Sequence, residues 1–295
     1  RGVNKGLQSN GTGAENSYTL MTAFGDDGFS TGTDGTAGNT LNYSTDAYVV
    51  WAWLAGTAFS NDASATGVGT IDSSGEVNTK AGFSIVSYTG TGSAGTIAHG
   101  LSSAPEMLII KERNATSQWV VGHHNLAASD PFHKGLYLDD TRAVYDDASN
   151  FNDTAPTSTV FSVGTGGYVN DSSNTYICYA FHSVEGYSKF GSYTGNGNAD
   201  GTFVFTGFRP AFTIIKRVDA TQKWGIQDAV REPSNEVVKY LEANGDYAEV
   251  DNYLNMDYLS NGFKLRRNEA ATNASGGTYI YMSFAESPFK FANAR

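Results

Sequence analysis

Apolar residues enter this chain in short runs, each closed by Gly, Ser, Thr, Asn or Asp, and one run recurs. Thr175-Tyr176-Ile177-Cys178-Tyr179-Ala180-Phe181 returns as Thr278-Tyr279-Ile280-Tyr281-Met282-Ser283-Phe284, with a looser copy at Ala47-Tyr48-Val49-Val50-Trp51-Ala52-Trp53. Each copy is aromatic and β-branched and lacks charge and proline. That texture predicts a strand buried on both faces rather than one half-exposed to water. Three such strands imply three related units. Helical periodicity is almost absent; the best exception, Arg231 to Glu242 with Val237, Val238 and Leu241, reads equally as a strand after a helical turn.

From Gly82 onward strand-length runs follow one another: Phe83 to Gly90, Met107 to Lys111, Trp119 to Val121, Lys134 to Leu138, Thr159 to Val163 and the opening motif. This is the spacing of a sandwich. The series then repeats. Tyr193, the Ile-Ile-Lys run ending at Lys216, and Trp224 stand 105 residues after Tyr88, the run ending at Lys111, and Trp119. Phe263 follows Phe161 by 102 residues and Tyr279 follows Tyr176 by 103. A period this long makes each repeat a domain rather than a solenoid coil or propeller blade. Residues 82–185 and 186–295 are thus expected to be complete β-sandwich repeats, with no flexible spacer at Phe181 to Tyr187. Residues 1–56 read as the closing half of a third, since Lys5-Gly6-Leu7 matches Lys134-Gly135-Leu136 and Tyr48 matches Tyr176. Unpaired strand edges there predict an upstream extension or a covering partner chain. Residues 57–81, rich in Ser, Thr, Gly, Asp and Asn, read as a linker or long surface loop. The fold class expected is all-β: tandem sandwiches of jelly-roll or concanavalin A-like lectin type.

Charge narrows the ligands. With 19 basic against 30 acidic residues the net charge is −11, which disfavours a phosphate backbone and therefore nucleic acid. No apolar run is long enough to insert in a membrane. The one cysteine, Cys178, lies inside the repeated motif and reads as a small core residue.

Candidate chemistry is sparse. His123 lies four residues after Trp119, and Asp228 four after Trp224. Trp119, His123, Trp224 and Asp228 are therefore the candidate carbohydrate-binding residues, an indole face stacking on a pyranose beside a hydrogen-bonding neighbour. The plainer alternative is a core tryptophan whose strand ends in a solvated loop. His123 and His124 point to opposite faces of a strand and make a poor metal pair. Asp139-Asp140 and Asp146-Asp147 cannot, as adjacent pairs, supply the roughly 5–5.5 Å carboxyl spacing of a retaining glycosidase. They read as turn acids, with a Ca2+-binding loop as the alternative and no other cofactor expected. Lys111 and Lys216, each ending an Ile-Ile strand, read as strands running out to solvent. Asn42, Asn114, Asn152, Asn170 and Asn273 occupy glycosylation sequons, which carry little weight without a secretory context. No serine elbow, phosphate loop or zinc spacing is present.

The run Gly82 to Gly92 with His99-Gly100-Leu101 and Ala104 to Lys111 resembles a repeat of marine tailed-phage virion proteins. Glu185 to Gly195, Phe205 to Pro210, Leu259 to Leu265, Ala274 to Tyr281 and Phe284 to Lys290 resemble it more closely still. The resemblance covers nearly the whole chain and implies a non-enzymatic virion structural protein with lectin-like sandwich domains, located on the virion surface. A tail fibre or surface appendage contacting host glycans is the first expectation, with other copies of itself and other virion proteins as partners. A ligand-free capsid decoration, sheath or filament subunit is the second, and a surface-glycan hydrolase the third.

Overall fold

The computed structural model describes residues 2–17, 20–25, 28–32, 41–43 and 46–288. In chain order the strands are β1 (Lys5–Gly6), β2 (Asn16–Ser17), β3 (Met21–Gly25), β4 (Gly28–Thr31), β5 (Thr57–Asn61), β6 (Ser73–Asn78), β7 (Phe83–Thr89), β8 (Gly95–Ala98), β9 (Met107–Glu112), β10 (Trp119–His123) and β11 (Lys134–Tyr137). They continue as β12 (Tyr145–Asp146), β13 (Val160–Val163), β14 (Thr175–Phe181), β15 (Ser188–Thr194), β16 (Phe203–Phe205), β17 (Pro210–Arg217), β18 (Trp224–Asp228), β19 (Leu241–Glu242), β20 (Met256–Leu259), β21 (Gly262–Leu265) and β22 (Thr278–Ala285). All of their ladders are antiparallel. The chain is all-β, built from stacked sheets.

An eight-stranded sheet runs β12-β11-β10-β9-β14-β7-β6-β5, and a five-stranded sheet runs β15-β22-β17-β18-β19. Within the first, the order β11-β10-β9-β14-β7 matches the second sheet read backwards, β19-β18-β17-β22-β15. Period-two alternation explains how the sheets stack. On β14, Tyr176, Cys178 and Ala180 face a core shared with Phe161 and Val163 of the β8–β13 pair. Tyr179 and Phe181 face the opposite way, into a central core. On β22, Tyr279 and Tyr281 meet Val204, Phe263 and Tyr258 of the β16-β21-β20 sheet, while Ile280, Met282 and Phe284 join the same central core. The copies of the motif on β14 and β22 are therefore buried on both faces because each large sheet lies between two layers. Burying each large apolar side chain contributes about 1.5–3 kcal/mol.

Residues 57–81 are not a linker. They supply β5 and β6, which extend the eight-stranded sheet beyond β7. Polar composition concealed the strands because backbone pairing is indifferent to side-chain polarity at an edge. Gly75 is required where the strands close up, since a Cβ there would fall 1.9 Å from the Ile85 carbonyl oxygen. Residues 231–242 hold no helix; Val237 pairs with Met256 through N–H···O bonds of 2.7 and 3.1 Å. The third copy of the motif, 47–53, is in no strand, and among the described residues nothing ladders with it. Its alternation survives all the same. Trp51 and Trp53 turn into the central core, with Trp53 5.5 Å from Phe212 and 5.4 Å from Phe284.

Candidate functional site

All four residues expected to contact sugar are buried, Trp119 being the most exposed at 5 %. The Trp119 ring stacks on Tyr179 and its Nε1–H donates to the Gln8 carbonyl at 2.9 Å. Trp224 donates to the Tyr137 carbonyl at 2.8 Å. No indole face is left for a pyranose. His123 and Asp228 do occupy equivalent places, because each accepts a backbone N–H from two residues on, Asn125 at 3.1 Å and Val230 at 3.1 Å. They close the turn that follows the tryptophan strand. Burial pushes the His123 imidazole well below its ordinary range. Asp228 also holds the Arg231 guanidinium at 2.6 Å.

What the tryptophans do is join one unit to the next, twice and in the same way. Beside Trp119, the Lys111 ammonium donates to the carbonyls of Thr12 and Ser117, at 3.0 and 2.8 Å. Beside Trp224, Lys216 donates to Thr141 and Gln222, at 2.9 and 2.6 Å. Backbone bonds repeat the match: Ser117 N to Thr12 O and Glu15 N to Arg113 O in the first junction, Gln222 N to Thr141 O and Val144 N to Val218 O in the second. Lys216, Val218, Gln222 and Trp224 lie 105 residues after Lys111, Arg113, Ser117 and Trp119, and Tyr137, Thr141 and Val144 lie 129 after Gln8, Thr12 and Glu15. Both lysines are fully buried rather than running out to solvent. Burial pushes the Lys216 ammonium down to about 8 and lowers Lys111 likewise. Each ammonium offsets that cost with charge-assisted bonds to two carbonyls.

A second pair of equivalent residues organises the loops. Asn170 donates from Nδ2 to the carbonyls of Ser93 and Gly164, both at 2.7 Å, and accepts from Thr91 N at 2.8 Å. Asn273 donates to Asn198 O and Arg267 O, both at 2.8 Å, and accepts from Asn196 N at 3.0 Å. Both are fully buried sequon asparagines. Their spacing of 103 residues equals that of Tyr176 and Tyr279, a signal that would have marked them as structural. Stacked tyrosines sit beside each, Tyr88 on Tyr176 at 5.2 Å and Tyr193 on Tyr279 at 4.9 Å.

The paired acids are dispersed. Asp139 accepts the Trp119 N–H, Asp140 pairs with Arg142, Asp146 with Lys134, and Asp147 caps the short helix Ala148–Phe151. Among the described residues no group of three or more His, Cys, Asp or Glu side chains is placed to hold a metal ion. Cys178 is a buried free thiol whose pKa burial raises. A shallow depression of about 290 Å3 is lined by Ser60, Asn61, Asp62, Asp72 and Thr175 among others. Both its carboxylates are engaged, Asp62 by Ala65 N–H and Asp72 by Ala63 N–H. Among the described residues no helix is long and apolar enough to cross a membrane.

Fold and junctions define an all-β protein of stacked antiparallel sheets whose most developed polar chemistry joins its own units. The family described as a domain of unknown function (DUF7483) matches residues 1–288, and the chain belongs to that family. Neither the curated proteins nor the solved structures contain a match to it.

Proposed function

We propose that the chain is a non-enzymatic structural protein of a tailed-phage particle, part of a tail fibre or similar surface appendage, whose work is to build a stiff repeated body. The observation that carries this reading is the duplicated junction. The tryptophans, lysines and polar neighbours that a ligand site would need are spent on locking one unit to the next. A hinged enzyme would keep a cleft between units; here the junction is filled with aromatic side chains and backbone hydrogen bonds. The resemblance of the repeat phrases to virion proteins supports the location on a particle surface, with other virion proteins and further copies of the chain as partners. Mass spectrometry of purified particles, followed by electron microscopy of particles labelled with an antibody to residues 82–295, tests it. The chain is expected in the particle and on its exterior; its absence from purified particles would overturn the reading.

One feature favours glycan contact as a second reading. Phe203 and Phe205, alternate residues of β16, are exposed at 43 and 64 %, forming an aromatic step on one face of a strand. A glycan array probed with the wild type and with Phe203→Ser/Phe205→Ser should show binding lost in the variant; silence of both removes adhesion.

A further inference from the structure

The acceptor half of the junction occurs a third time. Tyr137 pairs with Val120 and Leu136 with Val121; 105 residues on, Glu242 pairs with Gly225 and Leu241 with Ile226. Asp139 accepts the N–H of Trp119, and Asn244 that of Trp224, at 2.9 and 2.8 Å. By the same offset Glu242 and Asp246 stand where Tyr137 and Thr141 receive Trp224 and Lys216. Lys223 pairs with the Glu242 carboxylate and lies over the Tyr247 ring, but among the described residues no indole or ammonium donates to the Glu242 or Asp246 carbonyl, and Asp246 and Tyr247 are exposed. The strand that belongs beside such a donor is also open. Among the described residues nothing ladders with 47–53, whereas β14 carries β9 along the equivalent edge; Tyr48, Val50 and Leu54 are exposed at 46, 54 and 78 %.

These two open features belong to one place. Trp53, Phe181 and Phe284, equivalent in the three motif copies, converge, with Phe284 5.4 Å from Trp53 and 6.3 Å from Phe181. Ser9 Oγ donates to Ala243 O at 2.8 Å, tying the amino-terminal unit to the third acceptor edge. Three units therefore surround a common core. A donor that paired with 47–53 as β9 pairs with β14 would come to lie against the edge at 241–246.

We propose that the unpaired backbone edge of 47–55 and the edge at 241–246 form one docking surface for a protein β-hairpin whose first strand ends in Lys and whose second begins with Trp eight residues later. That is the signature of Lys111 with Trp119 and of Lys216 with Trp224. The lysine caps carbonyls at the Asp246 end, the indole N–H meets the Glu242 carbonyl, and the first strand pairs alongside Val50 as Ile110 of β9 pairs alongside Cys178. The surface stands whether or not the chain belongs to a virion. Its occupant is recognised by apolar strand faces plus two placed donors.

The test uses the full chain and a synthetic peptide of residues 105–124, which carries one such hairpin sequence. Hydrogen exchange is expected to slow at 47–55 and 241–246 on adding the peptide. Replacing the peptide's lysine by Met or its tryptophan by Ala should weaken binding roughly tenfold each. Val50→Asp with Leu54→Asp in the chain, at exposed positions, should abolish binding while leaving thermal unfolding unchanged. No binding, protection elsewhere, or equal affinity of the altered peptides overturns the proposal. So does sedimentation showing that the chain alone pairs through 47–55, since the occupant would then be a second copy.

Discussion

Two kinds of buried polar residue set how this fold responds to its surroundings. His99 is fully buried; its Nδ1 accepts from Leu101 N at 3.1 Å, so Nε2–H is the nitrogen that donates to Thr157 O at 3.1 Å. Both nitrogens of the neutral ring are used, and burial pushes its pKa down to about 4. The unfolded chain takes up the proton near 6.5 and the folded chain does not, so stability falls as pH drops from 6.5 to about 4. The loss amounts to about 3 kcal/mol and is absent above 6.5. His123 shifts in the same direction and adds to it. Urea unfolding between pH 7.5 and 4.5 should show the decline, and His99→Gln should flatten it by about one proton; parallel curves would refute the assignment. Asn273 gives a charge test instead. Its amide faces the carbonyls of Asn198 and Arg267, so Asn273→Asp sets a carboxylate against acceptors and is expected to cost 3 kcal/mol or more, about twice Asn273→Ala. Urea midpoints of the two variants decide it. By itself Asn273 reads only as a sequon; its 103-residue spacing from Asn170 marks it as structural, but its partners lie on loops that no local pattern identifies.

At the scale of elements, the strands were legible where alternation or continuous apolarity marked them. β9, β10, β14, β17, β18 and β22 fall where the repeated runs predict. β5 and β6 did not show, because their pairing is carried by backbone groups under a Ser- and Gly-rich sequence. Lys111 illustrates the harder limit: a strand-end lysine is normally solvated, and its burial depends on a carbonyl 99 residues earlier in the chain. The match of Lys5-Gly6-Leu7 with Lys134-Gly135-Leu136 marked these stretches as parts of a repeat but not as acceptors, and Thr12 with Thr141 extends the match at the same spacing. Carbonyl acceptors, common to every residue, leave no trace in sequence. Lys216→Met removes the donor to Gln222 O and to Thr141 O and is expected to cost about 2 kcal/mol. Trp224→Phe, which keeps an aromatic ring but not the N–H bound to Tyr137 O, should cost about 1–2 kcal/mol. Lys111→Met combined with Lys216→Met should add to within about 0.5 kcal/mol in chemical denaturation, since the two lysines share no acceptor.

For the whole molecule the decisive feature is the central core, which takes side chains from the amino-terminal unit, the eight-stranded sheet and the five-stranded sheet at once. Internal periodicity suggested that each repeat is a domain in itself, and in a beads-on-a-string chain each bead would melt alone. Here Phe181 of one sheet, Phe284 of the other and Trp53 of the amino-terminal unit pack into one cluster. Opening any one unit would expose apolar surface on the other two. Among the described residues the inner faces of the large sheets have no other cover, so the cost of separating them resembles that of opening a single domain. The chain is therefore expected to unfold in one cooperative transition, with calorimetric and van't Hoff enthalpies equal. Trp53→Ala should lower that transition as a whole rather than split off an amino-terminal step, and residues 186–295 expressed alone should aggregate or bind a hydrophobic dye through the uncovered faces of Phe190, Phe212 and Phe284. Two separated calorimetric peaks, or a soluble, cooperatively folded 186–295 fragment, would mean that the shared core is a contact between independent units and not the seam on which the fold depends.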